Sequence, residues 1–280
     1  MKLIECPRDA MQGLTHFVPT DLKIQYLNTL LQVGFDTLDF GSFVSPKAIP
    51  QLRDTAEVLA GLTLSKTKTK LLAIVANLRG AEQAAAYPQI QYIGFPLSIS
   101  ETFQQRNTNK TIAQAFAEVA DIQKVCLDAG KQLVVYLSMG FGNPYGDPYS
   151  PELASQFTTR LVELGISIIA PSDTVGSSTP ESIEVLFKHL IEAFPTVEFG
   201  AHLHARPGEA DAKVRAVVRA GVQRIDGALR GFGGCPMAAD DLTGNLPTEE
   251  IIQTLGSEGI ALPINQAALQ KALMVSAGVF

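Results

Sequence analysis

Short apolar runs alternate with longer stretches whose apolar residues recur at about every third or fourth position, and the alternation continues along the whole chain. Runs rich in β-branched and aromatic residues at 3–6, 37–40, 71–75, 92–97, 133–138, 167–170, 197–203 and 224–226 predict eight strands. Helical spacing fits 21–33, 49–59, 79–86, 112–129, 152–164, 180–194, 209–220 and 248–255. Several of these helices open on Ser, Thr, Asp or Pro, and Gly34, Gly130, Gly165 and Gly221 stand where a helix hands over to a strand. A strand followed by a helix, repeated without a long linker, predicts the α/β class and a (β/α)8 or TIM barrel rather than a doubly wound sheet. The Gly-x-Gly-x-x-Gly fingerprint is absent, and Gly231-Phe232-Gly233-Gly234 follows the last strand instead of the first. The remaining stretch, 261–280, is expected to be a short C-terminal extension, a terminal helix that covers the barrel or meets another subunit.

Composition narrows the classes. With 280 residues, 46% of them hydrophobic, the chain can bury a large core, and 1–280 reads as a single catalytic domain. A net charge of −6 and a pI near 5.3 exclude a nucleic-acid surface, which needs clustered Lys and Arg. No apolar run reaches the roughly 18 residues of a membrane span, and the chain enters a strand pattern at Leu3 without a basic, apolar leader. A cytoplasmic protein with no membrane partner is therefore expected. Cys6, Cys126 and Cys235 are an odd number at spacings that suit neither a disulfide framework nor a zinc ribbon, so reduced thiols are expected.

Reactive groups of such a barrel lie at the C-terminal ends of its strands, and strands one, seven and eight become neighbours on closure. The first strand runs into Pro7-Arg8-Asp9-Ala10-Met11-Gln12, the seventh ends in His202-Leu203-His204, and Asn245 follows the eighth. Residues two apart on a strand share a face, so His202 and His204 point the same way. A carboxylate oxygen, two imidazole nitrogens and an amide oxygen, with no thiolate at ligand spacing, suit an octahedral Mg²⁺ or Mn²⁺ better than a closed zinc site. Tyr136 and Ser138, also two apart, should both face inward. His16 and His189 lack partners at ligand spacing.

These residues resemble a known family. Pro7-Arg8-Asp9 with Gln12, Ser42-Phe43-Val44-Ser45-Pro46-Lys47, Ser172-Asp173-Thr174-Val175-Gly176 with Thr179-Pro180, Gly200-Ala201-His202-Leu203-His204, Gly233-Gly234-Cys235-Pro236 and Gly244-Asn245-Leu246 are similar, in order, to 3-hydroxy-3-methylglutaryl-CoA lyases. The Arg-Asp opening and the His-x-His are shared with isopropylmalate and homocitrate synthases, whereas Ser-Phe-Val-Ser-Pro-Lys and Gly-Gly-Cys-Pro are more specific. The resemblance implies a (β/α)8 fold, a divalent metal on Asp9, His202, His204 and Asn245, and cleavage of hydroxymethylglutaryl-CoA to acetoacetate and acetyl-CoA. It implies Arg8 at the thioester carbonyl and Cys235 as the thiol that returns a proton, in a loop freed to close by Gly231, Gly233 and Gly234. It places Gln12, Asp39, Tyr136, Asp173 and Thr174 around the substrate and leads us to expect a homodimer. The acceptor of the hydroxyl proton stays open among Asp9, His202 and a bound water. Lys66, Lys68 and Lys70 read as solvated charge rather than CoA contacts.

The chain departs from the family pattern in three places. Ala205-Arg206-Pro207 stands where the family has Asp after the second histidine, Asp39 stands where it has Glu, and Gln12-Gly13-Leu14-Thr15 replaces Gln-Asn-Glu. Arg206 and Arg230 are expected to add positive charge near the mouth. Alternatives kept open are a lyase for a related 3-hydroxyacyl-CoA, a Claisen-type acyltransferase joining acetyl-CoA to a 2-oxo acid, and a barrel that binds acyl-CoA or metal without turnover.

Overall fold

A computed structural model describes residues 1–234 and 243–280. Cys235, singled out above, lies outside the described residues. The chain begins with β1 (Lys2–Glu5), α1 (Pro7–Gln12), α2 (Thr20–Leu30), β2 (Thr37–Ser42) and, after a 3-10 turn at Pro50–Leu52, α3 (Thr55–Ala60). Next come β3 (Lys70–Ile74), α4 (Leu78–Ala85), β4 (Ile90–Ser98), α5 (Glu101–Thr108), α6 (Ile112–Asp128), β5 (Gln132–Ser138), α7 (Pro151–Glu163), β6 (Ile168–Pro171) and α8 (Pro180–Ala193). The last part contains β7 (Glu198–Ala201), β8 (His204–Ala205), α9 (Ala210–Arg219), β9 (Arg224–Gly227), β10 (Gly244–Asn245), α10 (Thr248–Ser257) and α11 (Gln266–Ser276).

β1 through β7 and β9 form a closed parallel barrel, sealed where Leu3 pairs with Ile225 and Ile4 with Asp226. The expected (β/α)8 fold is the observed one. Alternation along the strands builds two cores: Leu71, Ala73, Ile93 and Val135 face the helices, whereas Leu72, Ile74, Val134 and Tyr136 fill the barrel. The lower interior also encloses Arg224, fully buried, with its guanidinium over the Tyr92 ring and 3.6 Å from Glu198. Helix starts follow side-chain chemistry. Thr111 with Gln114 and Thr179 with Ser182 form capping boxes, and Asn77, Ser100, Ser150 and Asn265 each accept a hydrogen bond from the first turn. No described helix is long and apolar enough to cross a membrane.

Several elements differ from the sequence expectation, each for a local reason. Residues 7–12 form a helix at once, because Pro7 at the first position presets the backbone and lacks the N–H that would go unpaired. The stretch 49–59 splits at Arg53 into a 3-10 turn and α3. α5, which was not expected, is capped by Ser100 and ends at Asn109 in the left-handed conformation. The predicted strand 197–203 breaks after Ala201: His202 makes a single bridge to Ser172, and the chain then leaves the barrel to pair antiparallel with β10. The extension forms α11, which packs against α2 and buries Leu269 and Ala272. Gly34 makes room for it, since a Cβ there would stand 2.6 Å from the Pro263 carbonyl and its φ of +97° is left-handed.

Candidate active site

A cavity of about 380 Å³ opens at the C-terminal ends of the strands. Arg8, Asp9, Gln12, His202 and His204 form its polar wall, and Val44, Ile49, Val75 and Phe103 are among the residues of its apolar one. The single turn of α1 stacks Arg8 over Gln12 and Asp9 over Gln12, since residues three and four apart share a helix face. Arg8 Nη1 donates to Asp9 at 3.0 Å and to Gln12 Oε1 at 2.8 Å, and Gln12 returns a bond from Nε2 to Asp9 at 2.9 Å. From β2, Asp39 grips the other side of the guanidinium, accepting from Nη2 at 2.6 Å and from Nε at 3.0 Å. Among the described residues, four of the five guanidinium N–H groups are thereby taken, leaving one on Nη2.

The histidines are held differently. Nδ1 of His202 lies 3.1 Å from Asp226 Oδ2, and Nδ1 of His204 lies 3.2 Å from the Thr174 carbonyl. An acceptor at each Nδ1 fixes the proton there and leaves Nε2 with a lone pair. Among the described residues, Nε2 of His204 is buried without a hydrogen-bond partner. One ligand atom each from Asp9, His202 and His204 comes together within 4.8 Å, and Asn245, paired directly with His204 across β8 and β10, donates to Asp9 Oδ2 at 2.7 Å. An orphaned imidazole nitrogen beside a carboxylate and a second imidazole fits a divalent cation.

Burial and charge tune these groups in opposite directions. Burial alone would raise Asp9, but Arg8, His202 and His204 outweigh it and hold its carboxyl at about 2. Burial wins at Asp39, pushing it up to about 6 despite Arg8. It works against a charged His202, yet the Asp226 bond and charge raise that group, whereas burial and the neighbouring His202 push His204 down. The Cys6 thiol lies near His202 and Asp226, and burial followed by nearby carboxylates pushes it up, so it packs as a neutral thiol.

Comparison with known proteins extends the picture. A family model described as HMGL-like matches residues 3–275. The chain belongs to the HMGL-like family. The mitochondrial hydroxymethylglutaryl-CoA lyase of Bos taurus is 32% identical over 283 residues, covering 100% of this chain and 84% of that protein. The HMG-CoA lyase of Brucella melitensis has a TM-score of 0.92 at 29% identity, covering 99% of this chain and 98% of that one. The Acinetobacter baumannii HMG-CoA lyase, solved with coenzyme A and 3-methylmalate, has a TM-score of 0.90 at 32% identity, covering 99% and 90%.

Within this HMGL-like barrel Gln12, Tyr136 and Thr174 line the cavity, and the Tyr136 ring meets His202 edge-on at 5.5 Å. Asp39 and Asp173 depart from the expectation that they line it. Asp39 is spent on Arg8, and the Asp173 carboxylate accepts from Ser178 and from the buried Lys213 at 3.3 Å. Lys213 also donates to the His204 carbonyl at 2.7 Å, so Asp173 supports the backbone that carries His204 rather than the pocket itself. Arg206 and Arg230 lie along a separate groove, and Lys70 opens β3 at the end remote from the cavity. Asp226 is the residue the sequence reading passed over. Its sequence signal is an acid in the last strand, two residues after Arg224. The support expected of an Asp at position 205 is supplied to the histidines by Asp226 and the Thr174 carbonyl instead.

Proposed function

We propose that residues 1–280 form one catalytic barrel that acts as a hydroxymethylglutaryl-CoA lyase, cleaving 3-hydroxy-3-methylglutaryl-CoA between C2 and C3 to acetoacetate and acetyl-CoA. The observation that carries this reading is the buried Nε2 of His204, without a partner among the described residues, facing the same cavity as the doubly held Arg8 guanidinium. Asp9, His202, His204 and Asn245 would hold Mg²⁺ or Mn²⁺, which when bound supplies Lewis acidity toward the C3 hydroxyl and the distal carboxylate. As the hydroxyl proton passes to Asp9, His202 or a bound water and C3 becomes a ketone, the C2–C3 electron pair passes to the thioester as an enolate. The remaining N–H of Arg8 Nη2 is positioned to donate to that oxygen, and its fork on Asp39 orients it before charge develops. The Tyr136 hydroxyl, buried on the cavity wall without a partner among the described residues, is available to a second substrate oxygen. The apolar wall keeps water from the carbanion at C2 until a proton returns there, a role we assign to Cys235. The occupants of the Acinetobacter baumannii relative, coenzyme A and 3-methylmalate, support an acyl-CoA substrate. A homodimer in the cytoplasm completes the proposal, testable by sedimentation and cell fractionation.

The test is a coupled assay for acetoacetate release from hydroxymethylglutaryl-CoA with Mg²⁺, with Mn²⁺ and with chelator, beside Asp9→Ala. Release that needs metal and disappears in the variant is expected. Full activity with chelator or in the variant overturns the mechanism. Absence of release with metal bound overturns the substrate and sends the search to related 3-hydroxyacyl-CoA esters or to condensation with a 2-oxo acid.

A further inference from the structure

Residues 228–234 lead from β9 toward Cys235, and they are pinned from two sides. On the barrel side, Glu5 accepts the Leu229 N–H at 2.9 Å, and the Phe232 carbonyl accepts from Asn245 Nδ2 at 2.9 Å. Gly233, at φ +89°, is wedged so closely that a Cβ there would stand 2.8 Å from the Asp9 carbonyl oxygen and from Asn245 Nδ2. On the outer side stands α11. The Phe232 ring stacks on Phe280, with centroids 4.4 Å apart and planes 16° from parallel, and Phe280 in turn meets the buried Tyr26 of α2 edge-on at 6.0 Å. Arg230, held left-handed at φ +63°, reaches outward to donate from Nε to Ser276 Oγ at 3.1 Å and from Nη2 to the Leu273 carbonyl at 2.9 Å. A non-glycine residue persists in that conformation when its surroundings over-determine it, and the cap that Arg230 places on α11 is such a surrounding.

Asn245 sits on a ladder only two residues long, which by itself is a weak support for a ligand. We propose that α11 and Phe280 position the 228–234 segment and, through the Phe232 carbonyl and Gly233, set where Asn245 and Asp9 stand at the metal cluster. Phe280 lines no part of the cavity, so it acts as a positioning residue. The inference rests on the metal site proposed above.

Its test uses the full chain with Phe280→Ala, Phe280→Tyr and, from the other side of the stack, Phe232→Leu. Mn²⁺ affinity is measured by calorimetry and backbone exchange by mass spectrometry. Phe280→Ala is expected to weaken Mn²⁺ binding by ~10–100-fold, the range for lost support around a ligand. It should also speed exchange at 229–234 while leaving the barrel strands protected. Phe232→Leu should repeat the pattern, and Phe280→Tyr should restore both readouts to within a few-fold of the parent. Unchanged exchange at 229–234 in Phe280→Ala overturns the proposal, as does unchanged Mn²⁺ affinity in a chain whose parent binds Mn²⁺. A parent that binds no Mn²⁺ instead overturns the metal site, and the exchange at 229–234 then decides the positioning role alone.

Discussion

The two polar limbs of the cavity are built on opposite plans. The arginine limb is closed largely on itself: Arg8, Asp9 and Gln12 lie on α1 and bond to each other, with Asp39 holding Arg8 and Asn245 donating to Asp9 from elsewhere. The histidine limb borrows every support, from Asp226 on β9, from the Thr174 carbonyl after β6, and from Lys213 on α9. The first plan yields a cation whose direction is set before substrate arrives. The second yields nitrogens that are aimed but left unbonded, which is what a metal requires. Rigid charge comes from mutual hydrogen bonds, and open ligand capacity comes from occupying the other side of each ring.

The sharpest way to break this contrast is Arg8→Lys. A lysine keeps the charge but loses the planar fork on Asp39, so kcat should fall by ~10²–10³, as for loss of an oxyanion donor, with Mn²⁺ affinity changing far less. Steady-state kinetics beside calorimetry decides it, and an unchanged kcat would remove Arg8 from the chemistry. On the other limb, Asp226→Ala should weaken Mn²⁺ binding by ~10–100-fold while saturating metal recovers most of kcat. Equal loss at all metal concentrations would mean that Asp226 does more than orient His202.

The smallest effect concerns pH. Because burial raises Asp39 from 3.8 to about 6, it loses its charge, and with it the ionic hold on Arg8, as pH falls through that value. Activity should show an acid limb near pH 6 that is absent in Asp39→Asn. Linkage separates this from unfolding. A carboxyl raised in the folded state binds more protons there than in the unfolded chain, so between about pH 4 and 6 its contribution to stability grows as pH falls. Melting curves that show no loss of stability from Asp39 in that window, alongside falling activity, are the expected pair of results.

Much of the arginine limb was legible because it is local. Pro7-Arg8-Asp9 with Gln12 announces itself in six residues, although the helical turn that joins them was overlooked in favour of a strand end. His202 and His204 were also visible, yet their convergence does not come from strand alternation, since the strand breaks between them and β8 turns to meet β10. Asp39 and Asp173 were expected around the substrate and serve neighbouring side chains instead. Nothing in a linear pattern distinguishes an acid that faces a cavity from one that faces Lys213 or Arg8, because the distinction depends on partners 31 and 40 residues away.

What the chain determines by itself is period and punctuation. Apolar runs, helix caps and glycine stops specify eight strands and their helices, since these depend on backbone preferences and on which side of each element is apolar. It also names the chemically able residues. Only the tertiary pairing decides which of them meet: β9 running parallel beside β7 brings Asp226 against His202, and α11 folding back onto α2 sets Phe280 against Phe232. Those contacts join residues 24 and 48 positions apart, where local preference carries no information and packing of the whole barrel supplies the geometry.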